Sequence, residues 1–184
     1  MTIDLRQRVI ALVHQIQDVP YAWPGLPDAG SVREHGVGTC ASKHALLAEE
    51  LLSLGVTSTP LLVVGPLVPD GLRDTDDCRP GLPLVEVHEC LTLIAPWAGP
   101  IRVDVTWDPV LAGYGLPITR PWDGSSDMRL ALAAGGAGWA VERAQLRAAK
   151  EALRSRLYGP GERELRDRTL RAISHHFARW RASR

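Results

Sequence analysis

Apolar residues recur at helical spacing near the start of the chain and again after residue 38. Side chains three and four positions apart share one face of a helix, so the first stripe predicts a helix over residues 4–17. Pro20 and the Pro- and Gly-rich segment after it predict a loop. The second helix is predicted from Thr39 to about Leu54, because Gly55 is the residue type that commonly follows a helix end. The stripe of the first helix consists of Leu5, Val9, Ile10, Val13 and Ile16.

The middle of the chain predicts strands. The apolar run 59–68 is typical of a buried strand, and the runs 83–94 and 101–107 predict two strands that flank a short turn. The polar, turn-rich segment 70–83 predicts a loop. Residues 128–134 fit either a strand or a short helix, because periodicity does not separate the two in so short a run.

The C-terminal part predicts two helices, over 140–157 and 162–181, divided by the Gly-Pro-Gly sequence 159–161. The order of helices, then strands, then helices favours an α+β fold with an antiparallel sheet. With 184 residues, 45% of them hydrophobic, the chain is sized for a single domain over 1–184 with a substantial core.

Composition narrows the class of protein further. No apolar run approaches the ~18–20 residues that cross a bilayer, so no membrane span is predicted. The charged N-terminal segment lacks the apolar stretch of a signal peptide, and we therefore expect a cytoplasmic protein. Cys40, Cys78 and Cys90 are an odd number of cysteines, which favours free thiols over a disulfide framework.

The formal net charge is zero, but the charges are unevenly distributed. Residues 1–141 carry 9 basic and 16 acidic side chains, whereas residues 142–184 carry 12 basic and 5 acidic ones. A net charge of zero excludes a nucleic-acid-binding protein whose surface is basic on all sides. We expect the basic C-terminal helices to pack on the acidic part of the chain or in a homodimer, and to add little affinity for nucleic acid.

Cys40 is the first candidate for chemistry. Gly36 and Gly38 lead into it, and the predicted helix begins there. A cysteine in the first turn of a helix has its thiolate stabilised by the helix dipole, and the same backbone N–H groups can receive a developing oxyanion. The alternative is that Cys40 is a small buried hydrophobic residue.

His88 and Asp104 lie on the two strands that flank the turn. Alternation places His88 on one strand face with Glu86 and Cys90, and a carboxylate at Asp104 is costly in an apolar strand unless it has a partner. If the turn is centred on Trp97, His88 lies opposite Thr106, and Asp104 becomes its diagonal neighbour within side-chain reach. A register shift of one residue would place the two on opposite faces.

A thiol, an imidazole and a carboxylate in this order match the requirements of nucleophilic catalysis. The segments GTCASKHALLAEELLSLGV, VEVHECLTL and IRVDVTWDP resemble the transglutaminase-like superfamily of papain-like cysteine enzymes. The resemblance covers about residues 30–110. It implies that the helix of the nucleophile Cys40 packs on an antiparallel sheet that carries the base His88 and the orienting Asp104. Residues 140–184 would be a helical extension. Many members carry an aromatic residue where this chain has Cys90.

The resemblance implies acyl transfer or hydrolysis on an amide or peptide substrate through a thioester, without a cofactor. The backbone N–H of Cys40 would be one oxyanion donor. Candidates for a second donor from the upstream segment are Gln17, Tyr21 and Trp23. The sequence leaves open the identity of the substrate and whether water or an amine accepts the acyl group.

Two other interpretations stay open. A metal site could combine thiols with imidazoles, although the C-x2–4-C pairs of common zinc sites are absent from the sequence. The residues available for it are Cys40, His44, Cys78, His88 and Cys90. Alternatively, the protein is a non-catalytic binding or scaffold protein with the same fold, in which tryptophans near loops and strand ends line a cleft or fill the core. His44, one turn after Cys40, either tunes the thiol or is structural.

Overall fold

The computed structural model describes residues 4–67, 84–132 and 138–183. The predicted loop at 70–83, including Cys78, lies outside the described residues. Within those ranges, none of the helices combines the length and apolar character needed to cross a bilayer. The helices are α1 Leu5–Gln17, α2 Ala29–His35, α3 Cys40–Ser53, α4 Leu146–Leu157 and α5 Pro160–Ala182, and the strands are β1 Ser58–Leu67, β2 Leu84–Ala95, β3 Gly99–Val103 and β4 Trp139–Ala140.

The four strands form one sheet in the order β3-β2-β1-β4, with every neighbouring pair antiparallel. The fold is therefore α+β, as predicted. In the β2–β3 pair, Leu91 lies opposite Val103 and Ala95 lies opposite Gly99. This register centres the turn on Trp97 and confirms the predicted alignment of the two strands.

The prediction that the second strand of this pair runs from 101 to 107 is wrong at its end, because β3 stops at Val103. The next backbone N–H groups are bound by side chains instead of by β2. The N–H of Val105 donates to Nε2 of His44 at 3.1 Å, and the N–H of Thr106 donates to Oδ1 of Asp104 at 3.1 Å. Polar side chains thus end the ladder beside the candidate site.

Two apolar clusters cover the sheet. Side chains alternate between the faces of a strand, and Leu91 and Leu93 belong to one cluster while Leu84 and Cys90 of the same strand belong to the other. The first cluster packs α1 and α3 on the sheet and includes Val9, Val13, Leu47, Leu51, Ile101 and Val103. The second cluster packs α5 on the opposite face and includes Val63, Trp107, Leu170, Ile173 and Phe177.

The C-terminal helices are thus more than an extension of a core at 30–110. Leu170, Ile173 and Phe177 are almost completely buried, at 3%, 0% and 0% exposure. Their spacing places them on one face of α5, whose other positions include six arginines. The intramolecular packing expected for the basic helices is confirmed for α5.

Three other local predictions need correction. The segment predicted as a loop through residue 30 contains the start of α2, whose N-cap Asp28 accepts a hydrogen bond from the N–H of Ser31 at 2.9 Å. The helix expected from residue 140 begins at Leu146, and the segment before it contributes the short strand β4. Residues 128–132 form neither a strand nor a helix, since their N–H groups bond elsewhere, as that of Met128 does to the carbonyl of Arg102.

Candidate active site

The start of α3 fixes the position of Cys40. Thr39 is the N-cap, and it exchanges hydrogen bonds with Ser42 in a capping box, so that Cys40 is the first residue of the helix. Gly38 is needed immediately before the cap, because an added Cβ would lie 2.9 Å from both Ser42 Oγ and Lys43 Cγ. The thiol therefore lies at a tightly packed helix start, where backbone N–H groups have no partner within the helix.

His88 and Asp104 form a close buried pair. Nε2 of His88 lies 2.7 Å from Oδ2 of Asp104, and both side chains are at most 3% exposed. Asp104 also accepts hydrogen bonds from the backbone N–H groups of Ala131 at 2.7 Å and Thr106 at 3.1 Å. Burial disfavours ionised Asp104, but the His88 charge and hydrogen bond outweigh it and hold the pKa of Asp104 below its ordinary value.

The other side of the imidazole faces Cys40. Cys40 and His88 line the same cavity, and the charge and hydrogen bonding of His88 lower the pKa of the Cys40 thiol. Because Asp104 binds Nε2, the ring nitrogen that remains for the thiol is Nδ1. Burial opposes the His88 cation, but the charge and hydrogen bond of Asp104, followed by those of Cys40, outweigh it and raise the pKa of His88 to about 10. The geometry brings together all three side chains that the sequence singled out, and it favours an imidazolium beside the thiol at neutral pH.

Lys150 is a fourth charged group at the thiol. Its Nζ lies 3.9 Å from Sγ of Cys40 and 3.2 Å from Oε2 of Glu89. Burial raises the pKa of the Cys40 thiol, but the charge of Lys150 and the hydrogen bond and charge of His88 outweigh it and bring this pKa to about 7. Lys150 is not among the candidate residues that the sequence patterns indicate. The available signal was composition, since it is the one lysine among the twelve basic residues of 142–184.

We expect Lys150→Gln to slow the alkylation of Cys40 by iodoacetamide at pH 6.5 about three- to tenfold, because loss of a nearby positive charge destabilises the thiolate. The pH at which the rate reaches half its maximum should move upward. The measurement is the rate of labelling against pH. Arg156→Gln is the matched control, since it removes one positive charge from an exposed position of the same helix. Equal rates for the two variants would contradict a direct effect of Lys150.

His44 supports the geometry without facing the substrate. Nε2 of His44 accepts the N–H of Val105 at 3.1 Å, so Nδ1 carries the proton and donates to the carbonyl of Cys40 at 2.7 Å. Burial lowers the pKa of His44 to about 4, which keeps the ring neutral. His44 therefore links the first turn of α3 to the segment that carries Asp104, which is the structural alternative left open by the sequence.

Lys43 makes a second such link. It is fully buried, and its Nζ donates to the carbonyls of Gln17 at 3.2 Å, Val19 at 2.7 Å and Thr106 at 3.0 Å. Burial lowers the pKa of Lys43 to about 7. These hydrogen bonds join the end of α1, the start of α3 and the segment after β3, so they hold the backbone around Asp104 in place.

Cys40 and His88 lie at a cavity of about 680 Å³. Tyr21 and Trp23 line it, together with Cys40 and His88. The indole N–H of Trp23 is buried without a hydrogen-bond partner among the described residues. Burial raises the pKa of Tyr21, and its hydroxyl stays protonated.

Gln17 and Thr106 change the set of oxyanion candidates. Gln17 does not line the cavity, and its amide donates to the carbonyl of Thr119 at 3.5 Å. Thr106 does line the cavity, and its buried Oγ1 has no hydrogen-bond partner in the described part of the chain. From the sequence, Thr106 was predicted only to lie opposite His88 in the strand pair. Its position is fixed beyond the end of β3, where its N–H donates to Asp104 Oδ1 and its carbonyl accepts from Lys43 Nζ.

The remaining cysteine and the tryptophans contribute to packing. Cys90 is completely buried in the second cluster, and burial raises the pKa of its thiol. Trp122 is 2% exposed in the first cluster, against which Trp97 packs. Trp107 belongs to the second cluster and also borders the cavity. Of the tryptophans considered for a cleft, Trp23 and Trp107 are therefore the two that line it.

Within residues 4–67, 84–132 and 138–183, no group of three or more His, Cys, Asp and Glu side chains is arranged to hold a metal ion. Comparisons of the chain with protein-family models, with curated proteins and with solved structures returned no match.

Proposed function

We propose that this protein is a transglutaminase-like cysteine enzyme that transfers or hydrolyses the acyl group of an amide or peptide substrate. The observation that carries the proposal is the continuous line of contacts from the Cys40 thiol through His88 to Asp104, opening into a cavity. The placement of the thiol at the start of a helix, with the histidine and aspartate at an antiparallel strand pair, supports a papain-like core.

The first half of the reaction forms a thioester. The Cys40 thiolate attacks the amide carbonyl and forms the new C–S bond, while the carbonyl π electrons move onto oxygen. When the tetrahedral intermediate collapses, the C–N bond breaks, and the His88 imidazolium donates its proton to the departing amine. Asp104 keeps the imidazole oriented and stabilises its cation, as the carboxylate does in other nucleophilic triads.

The second half releases the acyl group. Water or an amine attacks the thioester carbonyl, and neutral His88 takes the proton of the attacking group. The C–S bond then breaks and regenerates the thiolate–imidazolium pair. In both halves the oxyanion would be bound by the backbone N–H of Cys40 and by a second donor. Trp23 Nε1 and Thr106 Oγ1 fit that second role, because each is a buried polar atom of the cavity lining without a partner among the described residues.

We expect iodoacetamide to label Cys40 about tenfold faster than Cys90 or Cys78 at pH 6.5, since its lowered pKa gives the larger thiolate fraction. Mass spectrometry after limited labelling measures the three sites separately. The denatured protein is the control, because unfolding removes the environment that distinguishes them. If Cys40 reacts no faster than the other two in the folded protein, the nucleophile assignment is wrong and a non-catalytic binding function is favoured.

A screen of amide and peptide substrates then tests turnover, with Cys40→Ala as the inactive control. Water and a primary amine should be compared as acceptors in the same assay, because release of a free acid indicates hydrolysis and formation of a new amide indicates transfer. Labelling at Cys40 without turnover of any substrate in the screen would support a reactive thiol but not the proposed reaction.

A further inference from the structure

One helical face beside the nucleophile is strongly basic. Arg143, Arg147, Lys150 and Arg154 recur at intervals of four, three and four residues, and all four line the cavity that contains Cys40. Residues at this spacing share a face of a helix. The turn that precedes α4 and the first three turns of α4 therefore present a row of positive charges along one wall of the cleft.

The two residues of this row at its C-terminal end, Lys150 and Arg154, have acidic partners; we call them the inner residues and the other two the outer residues. Lys150 Nζ lies 3.2 Å from Glu89 Oε2, and Arg154 lies 3.3 Å from Glu86. The two outer residues, Arg143 and Arg147, are exposed and have no acidic partner in the described part of the chain. The charges near the thiol are thus paired, although Glu86 is shared between Arg154 and Arg166, which lies 2.7 Å from it. Farther out, the charges of the row have no acidic partner among the described residues.

The other acidic residues of the cavity lining do not supply the missing partners. Glu49 lies 2.8 Å from Arg33, and Glu151 lies 2.7 Å from Arg163. Both arginines lie outside the cavity lining, so these two carboxylates are already paired with groups elsewhere. Asp28 is engaged as the N-cap of α2. Among the described residues, the guanidinium groups of Arg143 and Arg147 in the outer cleft therefore have no acidic partner, which leaves them open to an anion.

The distance of Arg143 and Arg147 from Cys40 determines how far the anionic group of a substrate lies from the carbonyl that Cys40 attacks. Lys150 Nζ is 3.9 Å from the thiol sulfur. Arg147 lies three residues before it and Arg143 seven, which corresponds to about 5 Å and 10 Å along a helix. An extended chain advances about 3.3–3.6 Å per residue, so the pair lies one to three residues from the carbonyl under attack.

We infer that the acyl substrate carries a carboxylate or phosphate one to three residues, or the equivalent distance, from its scissile amide, and that Arg143 and Arg147 bind this group. The planar fork of a guanidinium matches the paired oxygens of both anions. The inference rests on the proposed function, because it places the anion relative to the bond that Cys40 attacks. A cavity of about 680 Å³ accommodates a short acidic peptide or a small acidic amide.

Two alkylating reagents that differ in charge test the inference without a known substrate. Iodoacetate is an anion and iodoacetamide is its neutral isostere, and both react with the same thiolate. We expect Arg143→Gln combined with Arg147→Gln to lower the rate of Cys40 labelling by iodoacetate at least threefold at low ionic strength, since two attractive charges are lost. The rate with iodoacetamide should stay unchanged.

The matched control is Arg156→Gln combined with Arg168→Gln, which removes the same net charge from exposed positions outside the cavity. An equal loss of iodoacetate reactivity in this control, or no loss in the Arg143 and Arg147 variant, would overturn the inference. The iodoacetamide rate of the wild type reports the proposed nucleophile separately, so failure of the proposed function is distinguishable from failure of the anion site.

Protection experiments identify the anion. Millimolar glutarate supplies a carboxylate and inorganic phosphate supplies a phosphate, and either should slow iodoacetate labelling of wild-type Cys40 at constant ionic strength. The protection should be absent in the Arg143 and Arg147 variant, and the more protective compound indicates the substrate group. Absence of protection by both compounds would count against an anion-binding site.

Discussion

Asp104→Asn is expected to reduce turnover about 10³-fold or more, in line with the loss seen when the carboxylate of a Ser-His-Asp triad is made neutral. The variant keeps the shape of the side chain but removes its charge. Nε2 of His88 lies 2.7 Å from the carboxylate, and both groups are buried, so solvent does little to replace the lost interaction.

The physical reason for this loss is the protonation state of His88. In the wild type, burial lowers the pKa of His88, but Asp104, with a smaller contribution from Cys40, outweighs burial and raises this pKa to about 10. In the variant, burial is unopposed by the carboxylate, so the pKa of His88 falls and the imidazolium is lost near neutral pH. Without that cation the pKa of the Cys40 thiol rises from about 7, and less thiolate is present.

The rate of iodoacetamide labelling against pH measures the change without a substrate. The wild type should reach half of its maximal rate near pH 7, and Asp104→Asn should reach it at a higher pH. Asp4→Asn is the control, because Asp4 is exposed and its side chain makes no cap hydrogen bond. An unchanged profile in a folded Asp104→Asn protein would contradict the orienting role, and the circular dichroism spectrum of the variant verifies its fold.

The pairing of His88 with Asp104 could be predicted because it depends on local structure. The two residues are sixteen positions apart, and the short turn centred on Trp97 fixes the register between β2, which carries His88, and β3, which ends one residue before Asp104. Alternation along the strand then decides which side chains meet. The same reasoning identified the start of α3, since the glycines and Thr39 before Cys40 are local signals of a helix N-terminus.

The parts of the site that were missed depend on contacts between distant segments. Lys150 reaches Cys40 across 110 residues, and no local pattern specifies how α4 docks. The end of β3 was mispredicted for a similar reason, because His44 binds the N–H of Val105 across 61 residues. An apolar run such as IRVDVTW favours a longer strand unless that distant partner is known.

The contact of α5 with the wall of the cavity could not be predicted from the composition of this helix. Packing of the basic helices was expected from their charge, but the buried face of α5 contains few large apolar residues that would have located its contact with the site. Phe177 is completely buried, and its ring lies 5.9 Å from the ring of Trp107 and 6.4 Å from that of Tyr21. Since Trp107 and Tyr21 line the cavity, α5 supports one wall of the candidate site from behind.

Phe177→Ala is accordingly expected to lower the free energy of unfolding by about 3–5 kcal/mol, the usual cost of removing a buried aromatic ring. Urea unfolding followed by circular dichroism measures this loss as a lower midpoint at an unchanged slope. His175→Ala is the control on the exposed side of α5 and should change stability by less than about 0.5 kcal/mol. If the two variants unfold at the same urea concentration, α5 is a peripheral extension after all, and the wall of the cavity that contains Tyr21 and Trp107 does not depend on it.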